Sequence, residues 1–361
     1  MYLKETELAE VCNLLPSTQL YDPSQDSVMA PEQMFICACG FEDRCMAIPS
    51  LLSKSGRYKT RYSFLFEHQT NPEENARNRP LLENYLSNIT EIEVQNFTYK
   101  DEDFVARFEG MLDRVLVSNE ELLSRITFDI SGCSTQMILS ALKLLLQRKI
   151  RLRLLYVEAA IYHPTPNEYK QSPQDWTIDG AGMSKGILEV VESRLYLGNN
   201  LSQLPTLLVA FATFKPERIR YIQAELQPAK TIWIIGIPHA PENQWRIEAM
   251  RKINEMPEDE TSYKIHTFDH IETFSKLEQI YRDNEESHHM IIAPHGSKLQ
   301  SVGIALFTLL RQDVGLWFST PKSFNPVQYT GGVKEFWQID FGDVQEVVKT
   351  IQSCSKLKLE A

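Results

Sequence analysis

Two stretches of the chain decide its fold: ITFDISGCSTQMILSALKLLLQRKIRLRLLYVEA at 126–159 and HMIIAPHGSKLQSVGIALFTLLRQDVGLWFST at 289–320. Each reads as a short apolar run, a turn of small residues around a glycine, a long apolar helical pattern and a second apolar run. Setting Gly132 opposite Gly296 also sets Gln136 opposite Gln300, and Ala141-Leu142 opposite Ala305-Leu306. The match continues outward. MFICACGFEDR (34–44) and its helical sequel echo LLVAFATFKPER (207–218), and the strand–turn–helix pattern of 62–86 echoes 231–253. EIEVQNFTY with DFVARFEGMLDRVL matches YKIHTFDH with IETFSKLEQIYRD. Downstream, Tyr162-His163-Pro164 stands opposite Phe324-Asn325-Pro326, and Trp176 to Asp179 stands opposite Trp337 to Asp340.

The order of these landmarks reads as an internal duplication. Each copy has strand–helix four times, a fifth strand and a short strand bearing a tryptophan. Apolar runs without strict alternation are strands covered on both faces, and strands alternating with helices imply parallel crossovers of right hand. The expected class is therefore α/β, with two tandem Rossmann-like doubly wound parallel-sheet units related by internal duplication. The expected boundaries are a helix and connector at 1–33, unit one at 34–180, a bridging helix and linker at 181–204, and unit two with a C-terminal helix at 205–361.

Composition agrees. The chain has 361 residues, 43% hydrophobic and 24% charged, which is the balance of a folded protein, and its length exceeds the ~250–300 residues of one core. Lys+Arg number 37 against 48 Asp+Glu, a net charge of −11 that speaks against coating nucleic acid. No apolar run approaches the ~18 residues of a membrane helix, and MYLKETELAEVC has no secretory h-region. Six cysteines without a scaffold spacing fit a reduced, cytosolic setting.

In open α/β sheets, ligands bind beyond the carboxyl ends of the strands, where the strand order reverses. In unit one that rule selects Gly40 to Arg44, Glu67 to Gln69, Ser131-Gly132-Cys133-Ser134-Thr135 and Glu158. In unit two it selects Thr213 to Arg218, Pro238-His239, His295-Gly296-Ser297-Lys298 and Thr320 to Lys322. After each fourth strand a glycine allows a tight turn and a serine (131 or 134, and 297) is placed to cap a helix whose N-terminus attracts anions. The same turn also serves folding alone. Unit one is acidic here, with Glu42, Asp43, Asp129 and Glu158. Unit two offers Lys215, Arg218, His295, Lys298 and Lys322, so an anion should prefer it. The acids otherwise pair across the units or lie in solvent.

Several motifs are set aside. His295 to Lys298 lacks the preceding glycine of a P-loop, and adjacent Ser297 and Lys298 point to different helix faces. Gly180 to Gly186 lacks the acidic residue of a dinucleotide loop and reads as a turn between domains. Cys37, Cys39 and Cys45 lie on or beside a buried strand, and His266, His270, His288 and His289 lack zinc spacing, so no metal or cofactor is expected. His295 and Glu42 are the acid–base candidates. Arg44, Ser131, Gly132, Ser134, Lys215, Arg218, Gly296, Ser297, Lys298 and Gln300 are the candidate ligand contacts, and a base could stack on Trp176 or Trp337.

Gly296-Ser297-Lys298 with the helix LQSVGIALFTLL, and Gly132-Cys133-Ser134 with MILSALKLLL, resemble the fourth-strand loop of the CRISPR-associated Rossmann-fold (CARF) sensors. The resemblance covers the strand–helix order of both units. It implies an intrachain pseudo-dimer that takes a cyclic oligoadenylate between its units in a defence-linked role. The chain departs from the family in having His295 where a Thr-Gly pair is typical, and it shows no nuclease or winged-helix segment. Thr330-Gly331-Gly332-Val333-Lys334 looks more like the motif but stands before the last strand. The leading expectation is a nucleotide-binding protein with a separate effector or partner chain. The alternatives are an enzyme acting on a nucleotide or sugar phosphate, and a scaffold subunit.

Overall fold

The computed structural model describes residues 5–25, 31–99, 101–116, 123–171, 176, 182–198, 203–257 and 261–356. In chain order the strands are β1 (Gln19–Leu20), β2 (Glu32–Cys39), β3 (Thr60–Glu67), β4 (Thr90–Thr98), β5 (Ser124–Asp129), β6 (Ile150–Val157) and β7 (Ile161–Tyr162). There follow β8 (Ser184–Glu192), β9 (Thr206–Phe211), β10 (Lys230–Ile237), β11 (Ser262–His266), β12 (His289–Ala293), β13 (Gly315–Phe324), β14 (Thr330–Gly331) and β15 (Phe336–Asp343).

The chain forms two compact units. The first holds residues 16–162 and 330–349; the second holds the helix Glu5–Leu14, the described residues of 163–329, and the last helix from Thr350. The first unit's sheet runs β1-β15-β6-β5-β2-β3-β4, the second's β11-β10-β9-β12-β13-β8. Numbered within each unit, the five parallel strands stand in the order 3-2-1-4-5 in both sheets. Each is thus doubly wound, with the order reversing between β2 and β5 and between β9 and β12. The duplicated α/β architecture expected from the repeat is the architecture of the molecule.

Beyond its fifth strand each sheet adds a sixth, antiparallel one, outside which the short β1 also pairs in the first sheet, and the chain exchanges these sixth strands. β8 follows the first five strands but pairs with β13; β15 follows the second five but pairs with β6. The bridging helix expected within 181–204 is therefore a strand at Ser184–Glu192, and the tryptophan strand expected to close unit two lies in the first unit's sheet. The apolar pattern marks a strand but not which edge receives it. Of the other tryptophan stretch, Trp176 is helical and 177–179 lie outside the described residues, as do Gly180 and Ala181 of the glycine-rich turn.

The helices after the fourth strands form the centre of both cores. Eight residues of Thr135–Leu145 are buried, as are twelve of Lys298–Leu310; each is apolar nearly all round because it is covered on nearly every side. Each begins at a serine N-cap, Ser134 accepting from Met137 N and Ser297 from Gln300 N. Gly132 lets the first unit's loop lie on β2. A Cβ there would stand 2.4 Å from the Ala38 carbonyl oxygen and 2.9 Å from Cys45 Cβ. Gly132→Ala is expected to destabilise the first unit by about 1–3 kcal/mol through overpacking, read as a lower urea midpoint.

Candidate functional site

The first unit's strand ends are closed by its own chain. Glu42 pairs with Arg44 at 2.6 Å, both buried, and Arg44 also donates to Tyr156 Oη and the Val157 carbonyl, each at 3.3 Å. The segment from Thr330 to Glu335 crosses this edge. Thr330 Oγ1 donates to Glu42, the Gly332 N–H donates to Asp43 at 3.2 Å, and Lys334 Nζ reaches Glu158 at 3.1 Å. Backbone bonds between Glu158 and both Lys334 and Glu335 complete the strap. Three of the four acids, Glu42, Asp43 and Glu158, thus find donors or a cation in Thr330-Gly331-Gly332-Val333-Lys334, the motif set aside for its place in the sequence.

The expected ligand contacts of this unit are largely committed to the fold. Ser131, fully buried, donates to Asp129 at 2.5 Å and accepts from Val157 N at 2.9 Å. The Gly132 carbonyl bonds His68 Nε2 at 2.8 Å, and Arg44 is held as above. Ser134 is half-buried at its helix N-terminus. Burial pushes the Cys39 thiol up to about 11 and the Cys45 thiol up to about 12, so both stay protonated and are poor metal ligands. Among the described residues, no group of three His, Cys, Asp or Glu could hold a metal ion, and no helix is long and apolar enough to cross a membrane.

The second unit presents a different edge. Lys215 and Arg218 follow β9, His295 to Lys298 follow β12, and Ser319 lies on β13. Arg218 donates twice to the Ser319 carbonyl, at 2.6 and 3.0 Å. Ser319 Oγ bonds His295 Nε2 at 3.1 Å. The buried Lys215 ammonium lies 4.0 Å from the Tyr329 ring centroid and 4.5 Å from that of Phe324. Aromatic faces attract a cation without supplying a formal negative charge. Glu217 stands close to Arg218 and accepts from Ser184 Oγ at 2.7 Å.

Ser297 and Gln300 form a reciprocal capping box. Ser297 Oγ accepts from Gln300 N at 3.0 Å and donates to the Thr267 carbonyl at 2.5 Å, while Gln300 Oε1 accepts from Ser297 N at 2.9 Å. That last bond fixes the amide's orientation, so its Nε2 can only donate. Nε2 of Gln300 and Nδ1 of His295 are buried with no hydrogen-bond partner, in side chains 1% and 7% exposed. Gly296 lets the loop press on β9, since a Cβ would meet Phe211 at 2.7 Å and Gln300 Oε1 at 2.4 Å. Lys298 is half-buried at the first helical position, where a cation opposes the helix dipole. Lys322 is exposed beside Gly186.

The structure thus groups Lys215, Arg218 and His295, and joins Gly296, Ser297 and Gln300 in one capped turn. Ser319, Phe324 and Tyr329 complete the cluster, although nothing in their local sequence marks them. Two of the histidines set aside from the sequence are braced elsewhere: His266 bonds Glu272 at 2.9 Å and His288 bonds Ser287 at 2.9 Å.

Burial, then the charges of Arg218 and Lys215, hold His295 well below its ordinary value of 6.5. The folded second unit keeps this imidazole neutral where the unfolded chain would bind a proton. The His295 contribution to stability is therefore complete above about pH 6.5 and is lost as pH falls below it. His295→Gln is expected to flatten that acid slope in urea unfolding; an unchanged slope would contradict the assignment.

No family model matches the chain, and no curated protein matches it. Among solved structures, it is similar to the cytoplasmic domain of a prokaryotic cation chloride cotransporter, at 8% identity and a TM-score of 0.22, covering 81% of this chain and 96% of that one. A protein of unknown function and a putative universal stress protein, both from Pseudomonas aeruginosa, each show 8% identity and a TM-score of 0.23, covering 90% of this chain and 98% of theirs. Such values carry no argument about chemistry, and the reading of this site rests on its own residues.

Proposed function

We propose that the second unit binds a nucleotide or nucleotide-derived ligand, with its phosphate held beyond the ends of β9 and β12. One observation carries this reading: around His295 the edge gathers Lys215, Arg218 and a buried amide donor without a hydrogen-bond partner, at the point where strand order reverses. A phosphate oxygen accepts from such groups and its charge compensates them. Lys298 at the helix N-terminus fits the same ligand.

A thermal-shift screen against nucleotides, dinucleotides and cyclic oligonucleotides tests the reading. Ligand at 100 times its Kd should add about 2.7 kcal/mol, and Lys298→Glu should abolish the gain. No shift with any of them would end the nucleotide reading. The likeness to CARF sensors supports binding without turnover. The His295–Ser319 hydrogen bond supports the enzyme reading, since a neutral imidazole beside a hydroxyl is an acid–base pair. Product analysis separates them: a sensor returns its ligand intact. Glu42, engaged by Arg44 and Thr330, leaves His295 as the stronger acid–base candidate.

A further inference from the structure

The loops after β10 and β11 carry an aromatic pair that the phosphate site does not use. His239 is exposed, and its ring stacks on that of half-buried Phe268 with centroids 4.6 Å apart and planes 25° from parallel. The pair stands on a fixed base. Thr267 N donates to the Ile237 carbonyl at 2.9 Å, and Asp269 caps the next helix by accepting from Glu272 N at 2.8 Å. The Thr267 carbonyl, one residue before Phe268, accepts from Ser297 Oγ at the N-terminus of Lys298–Leu310. The loop after β11 therefore folds back across the strand ends to the helix that carries the proposed phosphate site, placing the stack beside it.

We infer that the His239–Phe268 stack is a nucleobase subsite, so that the second unit's ligand bears an aromatic base and not a phosphorylated sugar alone. This rests on the phosphate reading above and narrows it. An exposed ring already backed by a second ring offers a flat π-face whose position is fixed before binding. Such a face takes any base by stacking. A sugar phosphate has no matching face.

The experiment compares AMP with ribose 5-phosphate, which differ in the base and share the phosphate, by calorimetric titration of the full chain. The wild type should bind AMP at least about tenfold tighter. His239→Ala and Phe268→Ala should remove that preference while leaving the ribose 5-phosphate affinity unchanged. His239→Phe should keep it. Equal affinities for the two ligands in the wild type, or a preference that survives both alanine variants, would overturn the base subsite and leave the phosphate site standing. Binding of neither ligand would overturn both.

Discussion

Lys215→Gln is expected to weaken nucleotide binding at least about tenfold, with little change in the fold. The ammonium is buried between the Tyr329 and Phe324 faces, close enough to His295 to depress its protonation. A charge-assisted hydrogen bond contributes about 1.5–3 kcal/mol, and glutamine keeps much of the stem's packing while removing the charge. The same change takes away one of the two cations that hold His295 neutral. The residual acid sensitivity of the second unit should therefore lessen alongside the loss of affinity. Calorimetry reads the first effect and urea unfolding across pH the second. Unchanged affinity would remove Lys215 from the site.

The largest stability effect is expected from Glu278→Ala. This carboxylate is fully buried on the helix His270–Asn284. It accepts from Arg311 Nη2 at 2.5 Å and Nε at 2.9 Å, and from Arg282 Nε at 2.9 Å. Arg311 directly follows the helix Lys298–Leu310, its guanidinium 4.3 Å from the Tyr281 ring centroid and 3.7 Å from Glu285. Removing Glu278 leaves the buried Arg311 without its closest counter-charge, a loss of about 3–5 kcal/mol for a broken buried pair. The cluster anchors the far end of the helix whose N-terminus forms the proposed phosphate site. Thermal unfolding followed by circular dichroism checks the magnitude. A loss below about 1 kcal/mol would show that the pair is not needed there.

The sequence revealed the order of the strands more fully than their partners. Apolar runs such as MFICAC and LLVAF, each followed by a turn and an amphipathic pattern, correctly announce parallel strands, and Gly132 and Gly296 mark the same turn in both copies. The exchange is hidden in the sequence because the pattern of β15 is the same whichever sheet receives it, and because β8, mostly polar or half-buried, does not read as a strand at all. The mixed polarity of SKGILEVVE (184–192), within the stretch expected to bridge the units as a helix, suits a strand paired on one side only.

The site divides in the same way. Lys215, Arg218 and His295 are legible because the α/β rule names the residues just past each strand, and Gln300 because it stands opposite Gln136 in the repeat. Ser319 and Tyr329 were not, since each matters only through a tertiary neighbour, Arg218 and His295 for one and Lys215 for the other. Ser131 shows the opposite error. It has the residue type and the loop position of a phosphate contact, yet its hydroxyl braces Asp129 and Val157 inside the core. Thr330 to Lys334 stands before the last strand, and chain position says little once a segment returns to an earlier unit.

The central claim is that a nucleotide seats its phosphate beside His295. Nitrogen-resolved NMR of histidine-labelled protein observes that imidazole directly, with its signals assigned by their loss in His295→Gln. Nucleotide at saturation should shift the His295 ring nitrogens and raise the pH at which the ring gains its proton, because a phosphate offsets the nearby cations that keep it neutral. Ring nitrogens that stay unmoved at saturating nucleotide would contradict the claim.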